Sequence, residues 1–221
     1  EFLLYGVTGS GKTEVYLELI EKTINQGRKA IMLIPEISLT HQTLARFVAR
    51  FGDNIAVINS KMTISQRKDE YKKIKEGKVN IVIGARSAIF SPIDNLGIVI
   101  IDEAHDSSYY SSTTPKYSTK EVASFICKKT DAVLVLGSAT PEVTDYYKSS
   151  VNKEKLERVE LLNRPGESTL PEIITIDMKN EKVIGNVSLF SNRLKEEIES
   201  NIKNKKKTMI FLNRRGYTSY L

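Results

Sequence analysis

The 221-residue sequence has little of several things: one cysteine, two histidines and no tryptophan. A lone cysteine excludes an internal disulfide framework and fits a reducing compartment, the cytoplasm. Cys127, on an apolar segment, reads as a small core residue. Two histidines and one cysteine also leave little material for a zinc site within the chain. No apolar run approaches the roughly 18 residues that a membrane span needs. The longest, such as Ala30-Ile31-Met32-Leu33-Ile34, have the length of buried strands. A basic secretory leader is missing, and the chain opens on Glu1-Phe2-Leu3-Leu4 without Met, so a piece of a longer protein is expected. There is no internal repeat or low-complexity tract. Lys203–Lys207, with four lysines in five positions, reads as a solvated helix end.

What is present is ordinary in amount and informative in order. Hydrophobic residues make up 40% and charged residues 27%, enough for a globular chain with a buried core. The net charge of +6 divides unevenly: residues 1–150 carry 19 basic and 17 acidic groups, residues 151–221 carry 14 and 10. Such an excess is compatible with a polyanionic partner without demanding one.

Short β-rich runs alternate with amphipathic stretches over the first 150 residues. The strands are expected at Phe2–Tyr5, Ala30–Ile34, Ile55–Asn59, Asn80–Gly84, Gly97–Ile101 and Ala132–Leu136. Several are apolar almost throughout, as in parallel strands covered on both faces. Helical patterns fall at Lys12–Asn25, with Val15, Tyr16, Leu19, Ile20 and Ile24 on one face, at Thr40–Phe51, and at the mostly charged Ser65–Glu76. This is the order of an α/β fold with a mainly parallel sheet flanked by helices. Beyond residue 150 the texture changes. Leu156–Leu162 and Ile173–Ile176 read as strands around the turn-rich Asn163-Arg164-Pro165-Gly166, followed by a helix at Asn192–Lys203 and a strand at Thr208–Leu212. The expected division is therefore one α/β domain over 1–150, then a connector and a partial second α/β lobe over 151–221.

The chemistry concentrates in two motifs. Gly6-Val7-Thr8-Gly9-Ser10-Gly11-Lys12-Thr13 follows an apolar strand and opens a helix, the setting of a phosphate-binding loop. Its glycines let successive N–H groups converge on phosphate oxygens, and the helix N-terminus adds positive potential. Lys12 would neutralise the β- and γ-phosphates of ATP, and Thr13 would offer a hydroxyl to Mg²⁺. The second motif, Asp102-Glu103, ends the buried run Leu96–Ile101 at the sheet edge where α/β folds bind ligands. There Asp102 would hold Mg²⁺ and Glu103 would orient and deprotonate the attacking water. Taken alone, an Asp-Glu pair after a strand also serves as a helix cap.

Asp102-Glu103-Ala104-His105 resembles the DEAH box of superfamily 2 helicases and translocases, and Gly137-Ser138-Ala139-Thr140 is similar to their motif III. The phosphate loop with its extension Glu14-Val15-Tyr16 resembles, within that superfamily, the primosomal branch of replication-restart DNA helicases. So do Pro35–Thr40, Gly84–Pro92, His105–Tyr109 and Phe211–Tyr217. The resemblance implies a RecA-like fold and a cytoplasmic, ATP-driven motor that moves on single-stranded DNA and acts at forked DNA. Primosome and single-strand-binding proteins are its implied partners, with no membrane. It also implies coupling roles for His105, Ser138 and Thr140. DNA-backbone contacts are implied at Pro35, Glu36, Arg86 and Ser87, and base stacking at Tyr109, Tyr110 and Tyr117. Small hydroxyls, backbone N–H groups and one arginine at strand ends suit contacts that position a backbone without reading sequence. Without the resemblance, Arg86 reads as a surface arginine, the tyrosines as loop packing and His105 as a helix cap.

The sequence departs from that family at Ala104, where Glu is commoner, a position that binds no metal. The resemblance further implies Zn²⁺, a glutamine segment contacting adenine and a second-lobe arginine finger, none of which these residues supply. Since an arginine finger contributes on the order of 10³–10⁵ in turnover, weak Mg-ATP binding and poor hydrolysis are expected of these residues alone. The alternatives are a RecG-like fork remodeller and a nucleotide-gated DNA-binding scaffold with little hydrolysis. Asn213-Arg214-Arg215-Gly216-Tyr217 weighs against the first and Glu103 against the second.

Overall fold

The computed structural model describes residues 1–151, 155–164 and 172–211. It divides into two compact units, Glu1–Thr169 and Leu170–Leu221.

The first unit is a seven-stranded sheet in which every paired strand is parallel to its neighbour. The strands are β1 (Phe2–Gly6), β2 (Lys29–Leu33), β3 (Ile55–Ile58), β4 (Ile81–Gly84), β5 (Leu96–Ile101), β6 (Val133–Ser138) and β7 (Glu157–Leu161), in the order β3-β4-β2-β5-β6-β1-β7. Every residue of β4 and β5 is buried, which explains their uninterrupted apolar composition. Because side chains alternate across a strand, consecutive residues enter different cores. Leu3, Ile31, Val99 and Leu136 belong to one buried cluster, whereas Leu4, Met32, Ile100 and Val135 belong to the other.

The helices of this unit are α1 (Lys12–Asn25), α2 (His41–Phe51), α3 (Ile64–Lys75), α4 (Thr119–Thr130) and α5 (Val143–Val151). Tyr16, Leu17 and Ile20 of α1 and Phe47 of α2 fill the second cluster. Arg50 fastens α2 to α1 through Glu14 at 2.8 Å, Glu21 at 2.5 Å, and Glu18. Thr40 caps α2, and Thr63 with Gln66 forms a capping box on α3. Each such cap contributes about 1 kcal/mol, small beside the two cores. Charged α3 buries only Ile74.

Three sequence expectations change. The unit runs past residue 150, because β7 pairs with β1 from Phe2↔Glu157 to Gly6↔Leu161. Helices α4 and α5 went unread: α4 begins in a Ser/Thr-rich stretch, and Val143, Tyr147 and Val151 of α5 remain exposed, so its apolar pattern is weak. Ile173–Ile176 forms no strand, and both Ile173 and Ile174 are exposed. Residues 208–211 form no strand either, and Leu212 lies outside the described residues with the rest of the Leu212–Tyr217 segment.

Among the described residues the second unit holds α6 (Met178–Val183) and α7 (Asn192–Lys203), and no strand. Local hydrogen bonds organise it. Asp177 and Ser191 cap the two helices, and Asn186 Nδ2 donates to Glu181 Oε2 at 2.6 Å and to Phe190 O at 2.9 Å. No helix among the described residues is long and apolar enough to cross a membrane.

Candidate active site

Parallel strands deliver their carboxyl ends to one edge, so the segments after β1, β2, β4, β5 and β6 share it. The phosphate loop lies between β1 and α1. Ser10 N donates to Val7 O at 3.0 Å, which curls the loop, and Gly11 starts the helix at φ 91°, a left-handed backbone that favours glycine. Lys12 is buried, and its ammonium donates to Gly6 O at 2.8 Å.

Asp102 and Glu103 emerge directly from β5. Asp102 N donates to Leu33 O at 2.9 Å, which fixes the residue against β2. One carboxylate oxygen, Oδ1, accepts from the Tyr16 hydroxyl at 2.9 Å, and the backbone carbonyl accepts from the Tyr109 hydroxyl at 2.8 Å. Glu103 has φ 45°, uncommon for a non-glycine residue, and its Oε2 lies 3.6 Å from His105 Nδ1. Burial pushes the Asp102 carboxyl above the usual carboxylate range, against the opposing pull of the Tyr16 hydrogen bond and the Lys12 charge. Burial, then the charge of Asp102, pushes Glu103 up as well.

Lys12, Thr13, Asp102 and Glu103 line one cleft of about 1070 Å³, together with Thr8 and Gly9. The donor set fits a triphosphate with a divalent cation. Ser10 Oγ is buried with no hydrogen-bond partner among the described residues. The buried ammonium rests on a neutral carbonyl, and two carboxylates raised by burial face the same space, where a cation would relieve both. Sequence reasoning passed over Arg46, which lines this cleft from α2.

The expected coupling residues meet. His105 Nδ1 lies 2.8 Å from Ser138 Oγ, Thr140 N donates to that oxygen at 3.0 Å, and Thr140 Oγ1 is 3.4 Å from His105 Nε2. Ala104 N donates to Gly137 O at 2.9 Å, so backbone as well as side chains joins the two motifs.

The expected DNA-facing residues fare differently. Tyr109 is 1% exposed and its hydroxyl is spent on Asp102, so its ring offers no face for stacking; this corrects the sequence expectation. Tyr110, its neighbour, is 45% exposed. Its hydroxyl donates to Glu142 at 3.2 Å, while Lys120 bonds Glu142 at 2.7 Å and Asp145 at 2.8 Å. Arg86 is half-buried and already engaged. It donates to Ser108 O at 3.2 Å and Tyr110 O at 2.7 Å, with its guanidinium 5.7 Å from the centre of the Tyr117 ring. Ser87 follows it in a 3-10 turn, half-buried. Pro35 is buried, and its carbonyl accepts from Ser38 N and Leu39 N. The Glu36 carboxylate accepts from Ser60, tying the segment after β2 to that after β3. Phe90, which lies in the Gly84–Pro92 segment but was given no role there, is 53% exposed and meets Tyr117 edge to face with centroids 5.3 Å apart. An aromatic among small residues, in Ser87-Ala88-Ile89-Phe90-Ser91, was the available signal.

Comparison with known proteins matches residues 1–148 to the DEAD/DEAH box helicase family. The chain is 46% identical over 220 residues to the replication restart protein PriA of Bacillus subtilis, covering 100% of this chain and 27% of that protein. To the PriA protein of Treponema pallidum it is 41% identical over 217 residues, 98% of this chain and 32% of the relative. The chain thus spans about a quarter to a third of the length of these relatives. Among solved structures, a DEAD box protein from the hyperthermophile Methanococcus jannaschii superposes with a TM-score of 0.54 at 24% identity, over 73% of this chain and 45% of that one. RecG bound to a three-way DNA junction gives 0.53 at 22% identity, over 75% and 21%. At such identities the likeness is one of fold, that of the RecA-like helicase domain.

Proposed function

The chain belongs to the DEAD/DEAH box helicase family, and from that premise we propose that it is the ATP-binding part of a DNA helicase of the replication-restart type, hydrolysing ATP to move on single-stranded DNA. The observation that carries this reading is the cleft shared by Lys12, Thr13, Asp102 and Glu103, joined at its rim to Ser138 through His105. Lys12 and the loop N–H groups hold the β- and γ-phosphates, with Lys12 exchanging its carbonyl partner for phosphate oxygen. When bound at Thr13 and Asp102, Mg²⁺ neutralises charge on those oxygens. Glu103 orients a water and takes its proton as the oxygen–phosphorus bond forms and the bond from the γ-phosphorus to the β,γ-bridging oxygen breaks. Its raised proton affinity suits a base.

Single-stranded DNA is proposed to pass the exposed rings of Tyr110 and Phe90 and the half-buried Tyr117, with Arg86, Ser87 and the Pro35-Glu36 segment along the backbone path. Tyr110 shares Glu142 with Lys120, three residues after Ala139, which supports communication between the DNA path and the motif at Gly137–Thr140. Forked DNA as substrate, and primosome and single-strand-binding proteins as partners, follow from the similarity to PriA and belong to the proposal. Turnover by the 221 residues alone is expected to be slow. The test is ATP hydrolysis with and without forked DNA, for the unaltered sequence and Glu103→Gln, in the 221 residues and in a polypeptide of the relatives' length. Unchanged turnover in that variant would overturn the role given to Glu103.

A further inference from the structure

Tyr16 stands on α1 four residues after Lys12, hence on the same helical face, and is 0% exposed. Ring burial alone would make it a core residue, and phenylalanine would serve as well. The hydroxyl is what phenylalanine lacks, and it donates to Asp102 Oδ1 at 2.9 Å. Among the described residues the Tyr16 hydroxyl is the one side chain that donates to the Asp102 carboxylate, the Glu103 backbone N–H being its other neighbouring donor, and Asp102 borders the cleft. A third element is shaped to this contact. A Cβ placed on Gly137 would overlap the Tyr16 hydroxyl, so only glycine there lets the phenol reach the carboxylate.

We propose that Tyr16 is a positioning residue for magnesium: its hydroxyl fixes the Asp102 carboxylate through Oδ1 and leaves Oδ2 for the cation or a water bound to it. The inference rests on the reading of Asp102 as the magnesium-holding group. It assigns to the first helix a part in metal binding that the phosphate loop does not supply. It also gives Gly137 a reason to be glycine: room for a tyrosine from another element.

Partners that orient a metal-binding carboxylate carry on the order of 10–100-fold in metal affinity. The test is binding of a fluorescent ATP analogue to the 221-residue chain, first in EDTA and then along a Mg²⁺ titration, for the unaltered chain, Tyr16→Phe and Gly137→Ala. In Tyr16→Phe the affinity in EDTA should hold, while the Mg²⁺ concentration giving half of the magnesium-dependent tightening should rise about 10-fold or more. Gly137→Ala should raise it too, with the hydroxyl present but displaced. If the unaltered chain tightens with Mg²⁺ and both variants keep its half-point, the inference on Tyr16 falls and the reading of Asp102 survives. A loss of affinity in EDTA as large as in Mg²⁺ would also overturn it, since Tyr16 would then be holding the loop. If the unaltered chain shows no magnesium-dependent tightening, the reading of Asp102 fails first and takes this inference with it.

Discussion

Two stretches of one sheet edge treat their ligand-facing groups in opposite ways. Around Lys12, Asp102 and Glu103 the charges are buried or half-buried, and Lys12 and Asp102 are each held by named partners: Lys12 on Gly6 O, Asp102 between Leu33 O and the Tyr16 hydroxyl. Phe90 and Tyr110 are exposed and Tyr117 is half-buried beside Phe90, with Arg86 5.7 Å from the Tyr117 ring centre and Lys120 5.9 Å from that of Tyr110. A small ligand of fixed charge rewards groups that cannot move and are short of water, because such groups need no reorganisation. A chain of bases in any order rewards open aromatic area with cations nearby, because every base has a face to stack. On the proposed function, one region would select by position and the other by surface.

The comparison can be broken most severely at Glu103. Glu103→Gln should lower DNA-stimulated ATP turnover by about 10²–10⁴-fold while nucleotide affinity stays put, measured by phosphate release beside equilibrium binding. Next, Lys12→Ala should cost about 3 kcal/mol of nucleotide binding, roughly 100-fold, with single-stranded DNA affinity in the absence of nucleotide unaltered. An equal fall in both would erase the division between the regions. Tyr110→Ala should weaken binding of a short single-stranded oligonucleotide by about 1–3 kcal/mol and leave nucleotide affinity in place, as fluorescence anisotropy would read. The smallest effect belongs to Arg86→Ala, expected to lower DNA affinity evenly across sequences and reduce the salt dependence by about one counterion; a sequence-dependent loss would mean that Arg86 reads bases.

The sequence made the first region legible and the second only half so. Asp102 and Glu103 could be named because they directly follow β5, and Lys12 and Thr13 because they close the glycine-rich loop between β1 and α1; a buried parallel strand announces itself by composition. Tyr16 could be placed on the apolar face of its helix but not given its partner, since nothing local records a contact 86 positions away. Tyr109 and Tyr110 were indistinguishable as letters. The 3-10 turn at Ser107–Tyr109 decides which ring turns inward, and that turn is set by Asp106 capping Ser108 N. The boundary at residue 150 reflected a change in composition, but β7 belongs to the sheet through pairing with β1, which composition does not carry.

Those two tyrosines have a mechanical consequence. One ring is anchored to the carbonyl of Asp102, while the next lies open beside Lys120. Their Cα atoms are one trans peptide apart, about 3.8 Å. On the proposed function, a strand of DNA leaning on Tyr110 would push on a lever whose fulcrum is the neighbouring residue and whose short arm ends at the carboxylate-bearing backbone. No hinge, linker or second lobe lies between the two, and slack in this lever is limited to what a single peptide unit can rotate.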